Sequence, residues 1–439
     1  MIKPLTRASS RTFQTWGRTH RCAPVALHLP ESEAEVVALV KEVGRRGQTL
    51  RVVGAGHSWT DIACTDGHLL RLERLNRVLR IDRENGLVVA EAGISLRELV
   101  CHLSDFGLAL PSLGSIAEQT LAGAISTGTH GSGATVGNLS SLVESLRLVT
   151  GRGEVVEASR EHHPDVFAAA RVGLGCLGVI TQVTMRCVPI FNLHERCWTL
   201  PFDEALRQMQ TLADTHEFIK FWWLPHTDRI QVFAADRTSA PETCPALTRR
   251  ADKLGMITPV FRSILWLGGH FSPAIPTLNR LVCLGYFGQR ERVERSDGVF
   301  NLAMPPRHLE AEFAFAREDG PAAFEQLRAW VEWEQLRVNF IGELRFVAAD
   351  DIWMSPAYGR DACHIGAYCG RSAHAPQYFA GLEAIAARMG ARPHWGKMFG
   401  WEGAELRRVF ERFDDFCALR DELDPDRVFE NAFSRRVFG

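Results

Sequence analysis

Glu343 and Arg345 stand two apart in Gly342-Glu-Leu-Arg345. On a strand, residues i and i+2 share a face. The pair is therefore either a solvated strand face or a working site. In a working site the carboxylate would accept from substrate hydroxyls or take a proton, and the guanidinium would steady developing negative charge. A second candidate is Val52-Val-Gly-Ala-Gly-His-Ser58, where a β-branched run ends in two glycines that permit a tight turn before a histidine. A third is Leu113 to Gly133, dominated by Gly, Ala, Ser and Thr. Such small residues let backbone approach something closely. That is either the chain's own helix and loop, or a large ligand whose phosphates meet amide and hydroxyl donors.

Elements must position these residues. Val36, Val37, Leu39, Val40 and Val43 fall at helical spacing between Glu31 and Arg46, after a Pro30-Glu-Ser-Glu start that resembles an N-cap. The strand Thr49 to Val53 follows, then strand-like Leu69 to Leu72, Val78 to Asp82 and Leu87 to Ala92. Ser95 to Phe106 reads as a second helix, capped by Ser95 and stopped by Gly107. Val143 to Thr150, Val155 to Ala158 and Val179 to Val188 look like strands of a second sheet, so the first part is α+β. Gly173-Leu-Gly-Cys-Leu-Gly178 matches G-x-G-x-x-G, but a helix precedes it and a strand follows, the reverse of a dinucleotide site. A nicotinamide Rossmann site is excluded. Further on, Phe218 to Leu224, Ile230 to Ala234 and His308 to Ala314 alternate like strands. Ala322 to Trp333, Ala375 to Met389 and a charged segment around Glu402 to Arg420 read as helices.

The chain has 439 residues, enough for two or three domains at about 150 residues each. Hydrophobic residues make up 46% and charged residues 23%, which excludes a disordered or fibrous chain. Fifty Lys and Arg against 52 Asp and Glu leave a net charge of −2, so nucleic acid is not an expected partner. The eleven cysteines are scattered without a C-x-x-C pair, which suggests reduced thiols and a cytoplasmic location, with no metal site. Met1 to Gly17 lacks the apolar core of a secretory leader. The most apolar stretch, Met256 to Gly288, is broken by Arg262, His270, prolines and Arg280. A buried helix pair is expected there, with a membrane-surface patch as the alternative.

Val52 to Ser58, followed by Asp61-Ile-Ala-Cys-Thr-Asp66, resembles the phosphate-binding loop of the vanillyl-alcohol-oxidase-type flavoproteins, whose G-x-G-H-S histidine carries FAD. Ser126-Thr-Gly-Thr-His-Gly131 resembles the family's second flavin loop, and Glu343-Leu-Arg345 its substrate pair. His394-Trp-Gly-Lys397 resembles the H-W-[AG]-K signature of the sugar-lactone and alditol oxidase branch. The matches keep the family's order from Trp16 to the final Arg435-Arg-Val-Phe-Gly439. Phe13-Gln-Thr-Trp16, Asp61 to Gly67, Asp165 to Gly178 and Phe221-Trp-Trp-Leu-Pro-His226 are most similar to the aldonolactone oxidases that act on L-gulono-1,4-lactone.

The resemblance implies an α+β fold: a two-lobed FAD-binding domain over residues 1–190, an α+β substrate cap on an antiparallel sheet over 191–420, and a return to the FAD domain over 421–439. It implies that His57 is bonded to the flavin 8α-methyl. Val52, Val53, Gly54, Ala55, Gly56, Ser58, Gly114, Ser115, Thr120, Gly123, Thr127, Gly128, Thr129, His130, Ile180 and His394 would hold the cofactor, Ile180 beside adenosine. Glu343, Arg345 and Lys397 would be catalytic and, with Ser115, bind substrate. Either Glu343 or Lys397 is then the base; Lys397 would also stabilise the reduced flavin, its pKa falling if it is desolvated. The reaction implied passes hydride from the hydroxyl-bearing carbon beside a lactone carbonyl to flavin N5. Oxygen would be reduced to hydrogen peroxide, since Gly114 lacks a Cβ and leaves room for O2 where the plant-type dehydrogenase has Ala. The partners are thus a small sugar lactone and O2. The alternatives are a dehydrogenase with another acceptor, or an oxidase of D-arabinono-lactone or alditols. Alditol oxidases place a His where this chain has Gly366, which weakens that reading, although His364 could partly replace it.

Overall fold

The computed structural model describes residues 12–243, 259–301 and 306–439. Most of the N-terminal stretch expected to lack a leader, and Cys244, lie outside them. Three parallel strands, Ala26–His28, His68–Arg71 and Leu50–Val53, form the first lobe, with His68–Arg71 in the centre. The helix Glu33–Arg45 leads into this sheet; Ser32 caps it by accepting from the Glu35 amide, and Val36, Val40 and Val43 are buried. The second lobe is a five-stranded antiparallel sheet in the order Val155–Ser159, Val143–Val149, Val179–Arg186, Leu87–Glu91, Val78–Asp82. The helix Leu96–Asp105 begins in a reciprocal Ser95 and Glu98 capping box.

The rest is built on an eight-stranded sheet ordered Arg290–Arg295, Asn192–Pro201, Arg229–Thr238, Phe218–Trp223, Gly342–Val347, Ala362–Cys369, Leu309–Ala316, Arg392–Pro393, antiparallel throughout. Successive side chains along its central strands point to opposite faces. Leu344, Phe346, Phe313, Phe315, Ile365 and Phe221 are fully buried, on the face covered by the helices Phe202–Thr215, Gly320–Trp333 and Ala375–Arg388. Each such side chain contributes about 1.5–3 kcal/mol by leaving water. The residues between them, Glu343, Arg345, Glu310, Glu312, His364 and Lys220, are thereby turned to the opposite face. The C-terminal segment returns to the first lobe: Leu50 N–H donates to Val428 O at 2.7 Å, and Asn431 Nδ2 donates to the carbonyls of Asp61, Ile62 and Cys64.

Two expectations are corrected. The segment Glu402 to Arg420 is not one helix but two, Gly403–Val409 and Phe413–Leu423. Phe410 turns extended between them so that its ring stacks on buried Trp395, centroids 4.9 Å apart. The apolar stretch does form a helix pair, Pro259–His270 and Ile275–Tyr286, but it is not buried. Trp266, Phe271, Leu281 and Leu284 are exposed; the second helix buries Ile275, Asn279 and Cys283, with Asn279 Nδ2 bound to the Pro225 and Val338 carbonyls. Among the described residues no helix is long and apolar enough to cross a membrane, and the ten cysteines are free thiols.

Candidate active site

Cross-strand pairing assembles the site. Lys220 stands opposite Arg345, Arg345 opposite His364, and His364 opposite Ala314. In the adjacent row Trp222 stands opposite Glu343, Glu343 opposite Gly366, and Gly366 opposite Glu312; Tyr368 faces Glu310. Directly opposed residues share a face with Cβ atoms about 4.5–5.5 Å apart. Two adjacent rows that carry Lys220, Arg345, His364, Glu343 and Glu312 therefore run across four strands on the face opposite the covering helices.

Glu343 is 3% exposed and accepts three hydrogen bonds: Trp222 Nε1 to Oε1 at 2.6 Å, Tyr368 Oη to Oε2 at 2.7 Å and Arg345 Nη2 to Oε2 at 2.5 Å. Burial works to raise its pKa, but the positive charges of Arg345 and Lys220 and these donors hold it below the usual carboxylate value. Arg345 Nη2 also lies 3.5 Å from Ser115 Oγ. Lys397 Nζ pairs with Glu310 Oε2 at 2.5 Å, approaches Glu312 Oε2 to 4.0 Å and sits 4.4 Å over the Trp59 ring. Burial opposes ionisation of Glu310, yet Lys397 and His308 bring its pKa down to about 2.

Behind these, Glu312 Oε1 binds His130 Nε2 at 2.8 Å and His364 Nδ1 at 3.1 Å. Burial would raise the Glu312 pKa, and the histidines hold it well below the ordinary value. Burial takes His364 down to about 4 and His394 down to about 3, so both are neutral. His130, Glu312 and His364 stand close enough to ligate a metal ion, but hydrogen bonding among them already accounts for the arrangement.

This face closes one end of a cavity of about 1450 Å3. Glu343, Arg345, Lys397 and every expected cofactor residue line it except Gly128, which turns its loop with φ +70°. His364 does not line it; its ring packs on His130, centroids 3.9 Å apart. The cradle suits a dinucleotide. None of the amides from Gly54 to Ser58 donates to a protein acceptor among the described residues, which leaves a run of donors for an anion. Gly56 adopts φ +72°. A Cβ on Gly54 would lie 2.3 Å from Thr120 Oγ1 and 3.6 Å from Gly123 Cα, so the first loop comes this close to the second because Gly54 has no side chain. The first loop is tied across the cavity by Trp59 N–H to Gly396 O at 2.7 Å, and Trp16 stacks on His57 with centroids 5.7 Å apart. Burial lowers the His57 pKa, leaving a neutral imidazole.

Sequence reasoning missed Lys220, Trp222, Glu310, Glu312 and Tyr368. The alternation of Lys220 with Trp222 and of Glu310 with Glu312 was visible as two further i, i+2 pairs. Tyr368 enters only through the register of the sheet.

Residues 183–437 match the family model of D-arabinono-1,4-lactone oxidase, and residues 24–159 match an FAD binding domain. The chain is 35% identical over 432 residues to the L-gulonolactone oxidase of Scyliorhinus torazame, covering 97% of this chain and 98% of that one. It is 37% identical over 436 residues to the L-gulono-1,4-lactone dehydrogenase of Mycobacterium tuberculosis, covering 98% and 100%. Among solved structures a solvent-stable cholesterol oxidase superposes with a TM-score of 0.84 at 17% identity over 98% of each chain, which shows a shared fold. The chain belongs to the aldonolactone oxidase branch of the vanillyl-alcohol-oxidase-type family of FAD-dependent oxidoreductases.

Proposed function

We propose that the protein oxidises a sugar 1,4-lactone, L-gulono-1,4-lactone first among them, at the hydroxyl-bearing carbon beside the lactone carbonyl, with O2 as acceptor and hydrogen peroxide as product. The 2-keto lactone so formed would tautomerise to L-ascorbate. FAD, when bound, supplies the hydride acceptor at N5 and passes the electrons on. The observation that carries the reading is the occupancy of Glu343. An ionised carboxylate has about four acceptor positions, and Trp222, Tyr368 and Arg345 fill three. The remaining position accepts the substrate hydroxyl and takes its proton as the hydride leaves. Lys397 is committed to Glu310, which favours it as a stabiliser of negative charge and favours Glu343 as the base. Arg345 offers its guanidinium to the oxygen of the product carbonyl. His57, neutral and braced by Trp16, is the residue to carry the flavin covalently.

Gly114 supports oxygen as acceptor, and the similarity to a named dehydrogenase supports the second reading, electron transfer to another acceptor. Anaerobic addition of L-gulono-, L-galactono- and D-arabinono-1,4-lactone and xylitol to the yellow protein, followed by oxygen uptake with peroxide detection, tests both. Bleaching by a lactone with stoichiometric peroxide is expected. Bleaching without oxygen uptake would assign the dehydrogenase, and no bleaching by any lactone would remove the lactone reading altogether.

A further inference from the structure

Cys22 and Cys64 have no part in the proposed chemistry, yet the first lobe brings them together. Cys22 ends the hairpin that pairs Phe13–Gln14 with Arg21–Cys22. Cys64 closes the turn after the first flavin loop: its N–H donates to Asp61 O at 2.8 Å, and its carbonyl accepts from Asn431 Nδ2 at 2.9 Å. The two segments meet at the sulfurs. The Thr65 N–H donates to Cys22 Sγ at 3.3 Å, and the Cys64 S–H also donates to Cys22. Both residues are half-buried, so a small oxidant can reach them from water, whereas six other described thiols are buried.

The contacts give the two sulfurs different parts. Two donors meet at the Cys22 sulfur, where they support negative charge as it develops. Burial, and then Cys22 beside it, raise the Cys64 pKa, which keeps Cys64 protonated and donating. The hairpin also carries Trp16, whose N–H donates to Gly56 O at 2.8 Å and whose ring stacks on His57. Phe13, Thr15, Trp16, Ile62 and Ala63 line the cavity, so both segments that hold the thiols border the flavin site.

We propose that Cys22 and Cys64 are a redox pair that hydrogen peroxide converts to a disulfide, tying the Trp16 hairpin to the turn that follows the flavin loop. The Cys22 thiolate attacks one oxygen of the peroxide. The O–O bond breaks, the leaving hydroxide takes up the proton that Cys22 gave, and Cys22 becomes a sulfenic acid. The Cys64 sulfur then attacks the Cys22 sulfur, the S–O bond breaks, and the Cys64 proton leaves with that oxygen. Two thiols and one peroxide thus give one disulfide and two waters. Supply of the peroxide by the enzyme's own turnover rests on the oxygen reading above; the pair itself does not.

The test treats yellow holoenzyme with a few equivalents of hydrogen peroxide in the absence of lactone. Remaining thiols are then blocked in denaturant, and tryptic peptides are analysed by mass without reductant. Residues 22–41 and residues 52–71, each holding one cysteine, should appear as one linked species that dithiothreitol separates. Closing a loop of about 40 residues constrains the unfolded chain, so the thermal midpoint of the oxidised parent should rise by at least about 2 °C. Peroxide should leave the midpoint of Cys22→Ser where it was. Unlinked peptides, oxidation at the exposed Cys101 in place of this pair, or a link that leaves the midpoint unmoved would each overturn the proposal. Should Cys22→Ser not fold, Cys64→Ser is expected to hold Cys22 as a sulfenic acid that a dione probe labels, and an unlabelled Cys22 would overturn it equally. Aerobic turnover of L-gulono-1,4-lactone should make the same link, and catalase should prevent it. A link formed by added peroxide but not by turnover would bring down the oxygen reading and leave the pair standing.

Discussion

Trp222 donates its indole N–H to Glu343 Oε1 at 2.6 Å, across a register in which the two residues are directly paired. The bond orients the carboxylate from the side that Arg345 leaves open. A hydrogen bond to a charged group is worth about 1.5–3 kcal/mol. Trp222→Phe keeps an aromatic ring against Phe233, 4.6 Å away between centroids, and removes only the donor. Lactone kcat/KM should fall about 10- to 100-fold while flavin content and the circular dichroism spectrum stay as in the parent, and the acid limb of the pH profile should move upward. An unchanged rate would mean that Arg345 and Tyr368 alone fix the carboxylate.

The charge state of the site gives a pH expectation. Burial pushes Glu343 up, but Arg345 and Lys220 bring its pKa below the ordinary carboxylate value, so it stays ionised from pH 8 to pH 5. Its titration should not reduce kcat/KM in that range. Stability behaves otherwise. His364 and His394, lowered by burial to about 4 and about 3, are neutral when folded and protonate near 6.5 when unfolded. Their folded values are depressed, so stability is full above pH 6.5 and is lost as pH falls toward 4, by roughly 1.4 kcal/mol per pH unit for each. Glu310, about 2 when folded, adds a second loss below about pH 4.5. Urea unfolding at pH 7.5, 6 and 5 should show the first decline, and His394→Asn, which retains an acceptor for the Gly396 amide, should flatten it. Equal stability at pH 7.5 and 5 would contradict the burial of these rings.

Arg51 is 1% exposed and donates to four carbonyls: Ile62 at 3.0 Å, Leu174 and Gly175 at 2.9 Å, and Phe429 at 2.8 Å. It joins the strand that enters the flavin loop to the Gly173–Gly178 turn and to the returning C-terminal segment. Arg51→Leu leaves these acceptors buried without donors and should cost roughly 3–5 kcal/mol. A lowered thermal midpoint and faster proteolysis near Phe429 would register the loss. A midpoint within a degree of the parent would mean that water replaces the guanidinium.

Local pattern made much of this legible. The capped helices, the first loop and the i, i+2 pair at Glu343 and Arg345 follow from neighbours in sequence, whereas the residues expected to hold the cofactor came from the resemblance to the flavoprotein family. What remained hidden depends on register. Tyr368 is 25 residues from Glu343, and nothing in either segment says that Gly366 rather than a neighbour will stand opposite Glu343. The helix pair near Trp266 misled for a different reason: its composition is that of a core element, but Ile275, Asn279 and Cys283 alone of its second helix are buried. The G-x-G-x-x-G segment has the helix Pro164–Ala170 before it and the strand Val179–Arg186 after it, the order of elements that its sequence neighbours indicate.

His57 has a neutral ring in the first loop. A bond from that ring to the flavin predicts that acid precipitation of the parent leaves the yellow colour with the chain, whereas His57→Ala releases it to the supernatant. Trp16→Ala, which removes the stacked ring, should slow attachment so that both fractions are coloured. Release of colour from the parent would sink the covalent link without touching the cofactor assignment.

Gly114 is where oxidase and dehydrogenase readings part. A Cβ there would lie 3.0 Å from Thr129 Cγ2 and 3.4 Å from His130 O, and Thr129 is itself fixed by Gln119 Nε2 at 3.0 Å. The methyl of Gly114→Ala therefore has to press on the second flavin loop or protrude into the cavity beside Ser115. If an open path for O2 is what glycine provides, the anaerobic bleaching rate should stay within about threefold of the parent while reoxidation by O2 slows by about tenfold, equivalent to roughly 1.4 kcal/mol in barrier height. A fall in both rates together would mean that the methyl has displaced the loop rather than closed a path. Reoxidation at the parent's rate would remove Gly114 from the argument for oxygen and leave the acceptor to be decided by peroxide yield alone.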